Sequence, residues 1–392
     1  MRTISFIIFY SIVLTIYFFV NYYIFTRGWQ ALPSGSKGRN IYLILFLFLS
    51  ISYVAGRILE RFWLGPPVNF LVWTGSFWLG AMLYFTLILV IIDLLRITNL
   101  ALPVIPTTWF DNIEHTRLVL FGTVTSAVFV IIVAAHINTW FPKVNKVDIS
   151  LNGEKSEMSS VRAVLVSDIH LGSLTPKNRI SRMVSRINSL EPDIILLAGD
   201  ILDEDVGPVI HRDLGSAIKN LSAPLGVYGV TGNHEYIGGV HKAADYLTSH
   251  GIHLIRDSVI KINNSFYLAG REDLNIDRFS GRTRKSVEEL LENTGNGLPV
   301  ILLDHQPFSL EKAAAAGADL QLSGHTHHGQ LWPFNFITRA VYTISSGFGE
   351  VDGMKVYVSS GIGTWGPPMR LGTRPEIVKI RVNFNSYPSD II

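Results

Sequence analysis

The sequence predicts an N-terminal all-α transmembrane region of four helices followed by an α/β domain. Three observations predict it. Apolar residues make up 48% of the 392 and charged residues only 16%, below the roughly 25% of an average soluble chain. The deficit falls on residues 1–141, which hold four apolar runs of span length. From Val161 the pattern changes to short β-branched runs that end in polar or glycine-rich loops and alternate with helical stretches, as in layered α/β folds.

A spanning helix needs about 20 mostly apolar residues. The expected spans are about 4–25, 41–58, 70–95 and 118–141, with 142–160 as a linker and 161–385 as the second domain. The first run is too long for a signal-peptide core and no small-residue cleavage site follows it, so it reads as a retained span. Breakers separate the runs: Pro33 with Gly35 and Gly38, Gly65-Pro66-Pro67, and Pro103 with Pro106. Tyr22, Tyr23, Trp29, Trp63, Trp109 and Trp140 crowd the span ends, as aromatic belts do at lipid–water boundaries. Four spans put the N-terminus and the second domain on one side. Arg2, Arg57, Arg61, Lys143 and Lys146 would lie there, and Arg27, Lys37, Arg39, Arg96 and Arg117 opposite. The basic residues balance, so they assign no side. Asp93 and His136 lie near span ends, where ionisable groups reach the interface. A transporter would place charge in mid-membrane.

The net charge is +2 and no basic block stands out, so no nucleic-acid partner is expected. The chain has no cysteine, which excludes disulfides, thiolate ligands and a cysteine nucleophile.

In the second domain the expected strands are Val161–Val166, Asp193–Ala198, Gly226–Val230, Phe266–Ala269, Val300–Leu303, Leu320–Leu322, Val341–Ile344, Lys355–Val358 and Ile377–Val382. Helices are expected over Asn178–Leu190, Gly207–Leu221 and Val240–His250. The unbroken apolar runs 194–197 and 300–303 read as strands buried on both faces.

Five strand ends in succession deliver an Asp, Asn or His: Asp168 and His170; Asp200 and Asp203; Asn233, His234 and Glu235; Asp304 and His305; His325 and His327. Open α/β sheets place ligands at such carboxyl ends. These side chains suit borderline-to-hard divalent ions such as Mn, Fe, Zn or Co. In an extended D-x-H or H-x-H, residues i and i+2 point the same way, so such a pair grips one ion or serves two neighbours. Glycines before Asp200, Asn233 and His325 let the backbone turn sharply. Taken singly, a buried histidine is usually a core residue and an Asp after a strand is often a helix cap. Asp203 and Glu204, which precede a helix, are read in that second way.

Residues 161–382 resemble the calcineurin-like metallophosphoesterase superfamily, whose signature is D-x-H, G-D-x-x-D, G-N-H-[DE], a lone His, and G-H-x-H. All five blocks are present in order. The nearest likeness is to a membrane-associated bacterial branch ending G-H-T-H-x-G-Q, here Gly324 to Gln330, with His328 where glycine is common. Gly361-Ile362-Gly363 through Pro368, Arg370 and Pro375-Glu376-Ile377 also resembles that branch. The resemblance implies a β-sandwich flanked by helices and a cofactor of two divalent ions. Asp168, His170, Asp200 and His327 would hold the first ion. Asp200, Asn233, His305 and His325 would hold the second, with Asp200 bridging.

The implied activity is hydrolysis of phosphodiester or pyrophosphate bonds. Two ions roughly 3.5–4 Å apart activate a hydroxide and clamp the phosphoryl oxygens, so no serine or cysteine nucleophile is needed. The resemblance points His234 at the phosphate, as a proton donor to the leaving oxygen or a charge stabiliser; otherwise it is a cap or supporting residue. Glu235 either orients His234 or is first-turn helix charge. Arg370 is either a substrate clamp through its planar fork or an ion-pair partner of Glu376. The apolar loops 331–334 and 365–369 are either lipid contacts or ordinary packing. The family includes a pyrophosphatase of lipid A precursors, but no motif here selects a lipid-linked substrate. The expected partners are a phosphate ester and membrane lipids, the expected location is the plasma membrane, and the oligomeric state is left open. The alternative reading is a non-enzymatic membrane scaffold or sensor, which normally shows a lost ligand; none is lost here.

Overall fold

The computed structural model describes residues 2–295 and 297–385. It divides into two units, Met1–His136 with Gly366–Pro368, and Ile137–Trp365 with Met369–Ile392.

The first unit is helical: α1 Arg2–Ala31, α2 Lys37–Glu60, α3 Pro66–Ala101 and α4 Ile113–Asn138. Local chemistry sets the starts. Ser36 Oγ accepts from Arg39 N–H at 3.2 Å to cap α2, and α3 opens on Pro66 and Pro67, where proline lacks only an N–H that would be unpaired anyway. Among the described residues α2, α3 and α4 are long and apolar enough to cross a membrane. The first expected span, 4–25, falls in α1; the side chains of residues 2–6 and 9 lie outside the described residues. The fourth run stays helical only to Asn138. α2 and α3 approach closely through glycine, since a Cβ on Gly56 would lie 2.9 Å from Val72 N and one on Gly75 would collide with the Tyr53 backbone. Small residues serve this purpose in apolar helix pairs. Asp93 accepts from Tyr23 Oη at 2.7 Å and pairs with Arg27.

The second unit runs β1 Lys143–Asn152, β2 Ser160–Val166, α5 Lys177–Asn188, β3 Ile194–Ala198, α6 Gly207–His211, α7 Gly215–Ile218, β4 Val227–Val230, α8 Asn233–Gly238, α9 Val240–Ser249 and β5 His253–Leu254. It continues with β6 Ser258–Ile262, β7 Phe266–Gly270, α10 Ile276–Ser280, α11 Val287–Leu291, β8 Val300–Leu303, α12 Leu310–Ala315, β9 Leu320–Ser323, α13 Phe334–Val341, β10 Gly347–Val351, β11 Met354–Val358 and β12 Glu376–Asn385. Two six-stranded mixed sheets form, in the orders β1-β12-β2-β3-β4-β5 and β10-β11-β9-β8-β7-β6.

Alternation along the strands builds the layers. Ala163, Leu165, Ile194 and Leu196 of the first sheet share one core with Leu268, Ile301, Leu303 and Leu320 of the second. Their neighbours Val164, Val166, Ile195 and Leu197 face α5, α7 and α9, while Val300, Leu302 and Val356 face α11 and α12. The unit is therefore a β-sandwich with helices on both outer faces, which explains the unbroken apolar runs.

Three sequence expectations change. Residues 143–152, inside the expected linker, form β1 and pair in parallel with β12. Its polar Lys143, Asn145, Lys146 and Asp148 suit a sheet edge and hid the strand. The expected strand Val341–Ile344 is not one: Val341 ends α13. The single helix expected over Gly207–Leu221 breaks into α6 and α7 at Asp213, whose backbone is left-handed (φ 50°).

Candidate metal centre

The carboxyl ends of β2, β3, β4, β8 and β9 meet at one edge of the sandwich and carry the expected side chains. Five of the seven expected ligands sit on strained backbone: Asp168, His170, Asp200, His325 and His327 have φ between 46° and 70°. Such conformations cost about 1–3 kcal/mol each and persist where surrounding structure holds them. The neighbouring glycines make room. A Cβ on Gly324 would lie 2.5 Å from Asp168 Oδ2, and one on Gly199 2.5 Å from His305 Nδ1.

Three groups of potential ligand atoms form among the described residues, and the third, His170 with Asp203 and His234, shares His170 with the first. In the first, ligand atoms of Asp168, His170 and His327 lie within 4.8 Å of one another; in the second, those of Asp200, His305 and His325 do so. Asn233 joins the second, its Oδ1 lying 3.2 Å from His305 Nε2. Asp200 stands between them. Its Oδ2 is 3.1 Å from His305 Nε2 and 3.9 Å from His170 Nε2, while its Oδ1 accepts the His234 backbone N–H at 2.9 Å.

The donor set fits divalent cations. His170 Nε2 and His327 Nε2 face each other at 3.1 Å, with Asp168 Oδ1 3.4 Å from the latter. Lone pairs so close need a cation or proton between them. The surroundings fix several of these groups. His305 Nδ1 lies 2.7 Å from the Ala198 carbonyl, so Nδ1–H donates there and Nε2 is left free to ligate. The two Asp168 carboxylate oxygens accept from His325 N–H at 3.0 and 3.1 Å. Burial, with neighbouring His305, pulls His325 down to about 3, and burial with Arg370 holds His327 well below the usual histidine range. Both shifts favour the neutral imidazole that a metal ligand needs, whereas Asp200, against the effect of burial, holds His305 well above the usual histidine range. Burial works against charge on Asp200, but His305 and His234 outweigh it and keep it ionised.

Asp203 is a site residue that the cap reading missed. It is buried, and its Oδ1 lies 3.3 Å from His234 Nδ1 and 3.6 Å from His170 Nδ1. The available signal was its place as the second Asp of the G-D-x-x-D block. Burial opposes charge on His234, but Asp200 and Asp203 prevail and push it up to about 10. Glu235 does not orient His234. It is fully buried and accepts from the N–H groups of Asp200, Leu202 and Gly232, tying the β3 loop to the start of α8.

Arg370 departs from both of its readings. It is fully buried, so it presents no fork to the cleft. Nη2 lies 2.9 Å from His327 Nδ1, Nε and Nη2 donate to the Gly363 carbonyl, and Nη1 donates to Thr373 Oγ1. Glu376 instead accepts from Asn145, Tyr357 Oη and Ser360 N–H. The guanidinium thus stands behind His327, one of the expected ligands. His328 Nδ1 is 3.1 Å from Ser345 Oγ, at the rim.

Residues 161–329 match the calcineurin-like phosphoesterase family. An uncharacterised metallophosphoesterase of Aquifex aeolicus is 34% identical over 251 residues, covering 63% of this chain and 94% of that one. A transmembrane protein with metallophosphoesterase domain from Danio rerio is 33% identical over 281 residues, 69% of this chain and 63% of that one. This chain therefore spans just under two thirds of the zebrafish relative. A solved 5'-nucleotidase precursor from Thermus thermophilus is similar with a TM-score of 0.37 and 14% identity, over 57% of this chain and 55% of that one. With three apolar helices of spanning length ahead of a domain that matches the Aquifex protein almost end to end, the chain belongs to the calcineurin-like metallophosphoesterases, as a membrane protein and a metal-dependent phosphoric ester hydrolase.

Proposed function

We propose that this chain is a multi-pass plasma-membrane phosphoesterase that uses two divalent ions to hydrolyse a phosphodiester or pyrophosphate, on a lipid-linked substrate. The observation that carries the two-ion reading is the position of Asp200 Oδ2 between the clusters, 3.1 Å from one ligand histidine and 3.9 Å from another. Asp168, His170, Asp200 and His327 would hold one ion; Asp200, Asn233, His305 and His325 would hold the other. When bound, the ions supply an activated water and neutralise charge on the phosphoryl oxygens.

The chain's own residues do the rest. His234, buried against Asp203, stays protonated and donates to the leaving oxygen. Asp203 orients both His234 and the ligand His170. Arg370 steadies His327 and is not a substrate contact. Trp365 lies near His234, with ring centroids 6.3 Å apart, and is about half exposed, so it walls the leaving-group side.

The lipid-linked part rests on α13. This helix begins seven residues after His327 and exposes Phe334, Phe336, Ile337 and Val341, with Trp332 just before it. Only residues 139–142 separate α4 from β1. An apolar rim of this kind suits a substrate whose tail stays in the bilayer.

The test is Asp200→Asn in full-length protein in detergent. Elemental analysis should fall from two ions per chain to one or fewer. Turnover of bis(p-nitrophenyl) phosphate with added Mn²⁺ should drop more than about 100-fold, since changes to supporting groups alone cost 10–100-fold. An active variant that keeps two ions would refute the bridge.

A further inference from the structure

The helical unit is packed on one side and open on the other. α2 and α3 touch backbone to backbone through Gly56 and Gly75. α4 meets its neighbours through rings near its two ends: Phe121 against Tyr42 at 5.8 Å, and His136 against Phe77 at 5.1 Å and Trp73 at 6.1 Å. Between these pins lies a cavity of about 740 Å³, walled by apolar side chains of all four helices, among them Phe46, Trp78, Val124 and Val128. That volume falls among sites that bury a small ligand, roughly 300–1,000 Å³. Most of its wall is apolar, and a void there leaves its lining without contacts.

One end of the cavity is charged. Arg27, Arg96, Arg117 and Asp93 line it, three guanidiniums against one carboxylate. Arg27 pairs with Asp93 and Arg96 lies 3.4 Å from it, while Arg96 and Arg117 are exposed. The surplus positive charge sits at the ends of α1 and α3 and the start of α4, where an interfacial headgroup would be.

We propose that this cavity holds one anionic phospholipid, its tail between α4 and the other helices and its headgroup on Arg96 and Arg117. The proposal rests on the reading that these helices cross the bilayer, and is independent of the metal chemistry. The bound lipid is not the substrate. Arg117 stands near the start of α4, and the chain leaves for β1 from the other end, about 32 Å further along the helix at 1.5 Å per residue. The headgroup therefore lies at the end of α4 opposite the one from which the chain continues into β1. Guanidiniums suit this role because they hold phosphate through two parallel hydrogen bonds.

The experiment uses the full chain, purified in mild detergent and titrated with phosphatidylglycerol or phosphatidylcholine of the same chains, with native mass spectrometry as the readout. One phosphatidylglycerol per chain should be retained at least tenfold more tightly than phosphatidylcholine. Arg96→Gln with Arg117→Gln should remove that preference, and Arg96→Lys with Arg117→Lys should restore part of it. Val128→Trp, which fills the cavity, should weaken both lipids. Equal retention of the two lipids, or binding of many copies without a one-to-one species, would mean an adventitious boundary lipid only and overturn the proposal. Alkaline carbonate extraction separates the two failures. Release of the protein from membranes would refute the spanning reading, whereas protein that stays in the membrane without selectivity would refute the lipid site alone.

Discussion

At the residue scale, the site is built from side chains whose backbones few other surroundings would tolerate. His234 shows how neighbours set chemistry: it follows a ligand, yet its ring is set by Asp203, 3.3 Å away. His234→Ala should therefore leave the metal content unchanged and lower kcat by about 10²–10⁴ on alkyl leaving groups, the usual range for proton transfer. The loss should shrink for nitrophenolate, which needs no proton. Elemental analysis and kinetics with paired substrates check both; an equal loss for both leaving groups would assign His234 to charge stabilisation. Arg370 makes a different prediction, because it is fully buried and bonds Gly363, Thr373 and His327. Arg370→Ala leaves a buried carbonyl and a ligand ring unsupported. Stability should fall by about 2–3 kcal/mol, the scale of a charged hydrogen bond, and metal affinity by about 10–100-fold. Thermal melts and metal titration measure the two together. A variant that melts lower yet binds metal as wild type would limit Arg370 to a structural part.

At the element scale, strand ends carry the expected ligands and buried ion pairs hold the ends. Asp304, beside ligand His305, receives Arg271 Nη1 at 3.0 Å and Arg284 Nη1 at 3.1 Å, and all three side chains are largely buried. Asp304→Ala strands two guanidiniums, which costs about 3–5 kcal/mol; urea unfolding should show it, and a loss below 1 kcal/mol would mean that water reaches the pair. The strands legible in the sequence were those buried on both faces, such as Ile194–Ala198 and Val300–Leu303, whose β-branched and leucine runs have no other explanation. β1 and β10 were illegible because each alternates exposed and half-buried residues along most of its length, and β1 finds its partner β12 more than 200 residues away. Val341 to Ile344 misled for the opposite reason: β-branched residues gave a strand signal to the end of an amphipathic helix. The Asp and His side chains that gather in these clusters were legible because their types and spacing are chemical. Asp203 was marked only by its place in the G-D-x-x-D block and the contact of Arg370 by nothing, since each acts through a histidine that only the fold brings near.

At the scale of the whole molecule, composition alone separated an apolar half from a globular one, but it said nothing of what lies between helices or of which domain face is greasy. The second point can be tested directly. α13 exposes Phe336 and Ile337 and keeps Arg339 at its last turn, the pattern of a helix lying in the headgroup region. Only the short 139–142 segment lies between α4 and β1. The chain has no cysteine, so Phe336→Cys or Ile337→Cys gives a single attachment point for a nitroxide. In full-length protein reconstituted into liposomes, labels at these two sites should collide more with oxygen, which concentrates in hydrocarbon, than with a water-soluble nickel chelate. A label on exposed Lys219→Cys should show the reverse. If the α13 labels are as open to nickel as the one at position 219, the helix faces water and the lipid-linked reading loses its support. Low collision with both agents would mean that protein covers α13, and would overturn the bilayer contact as well.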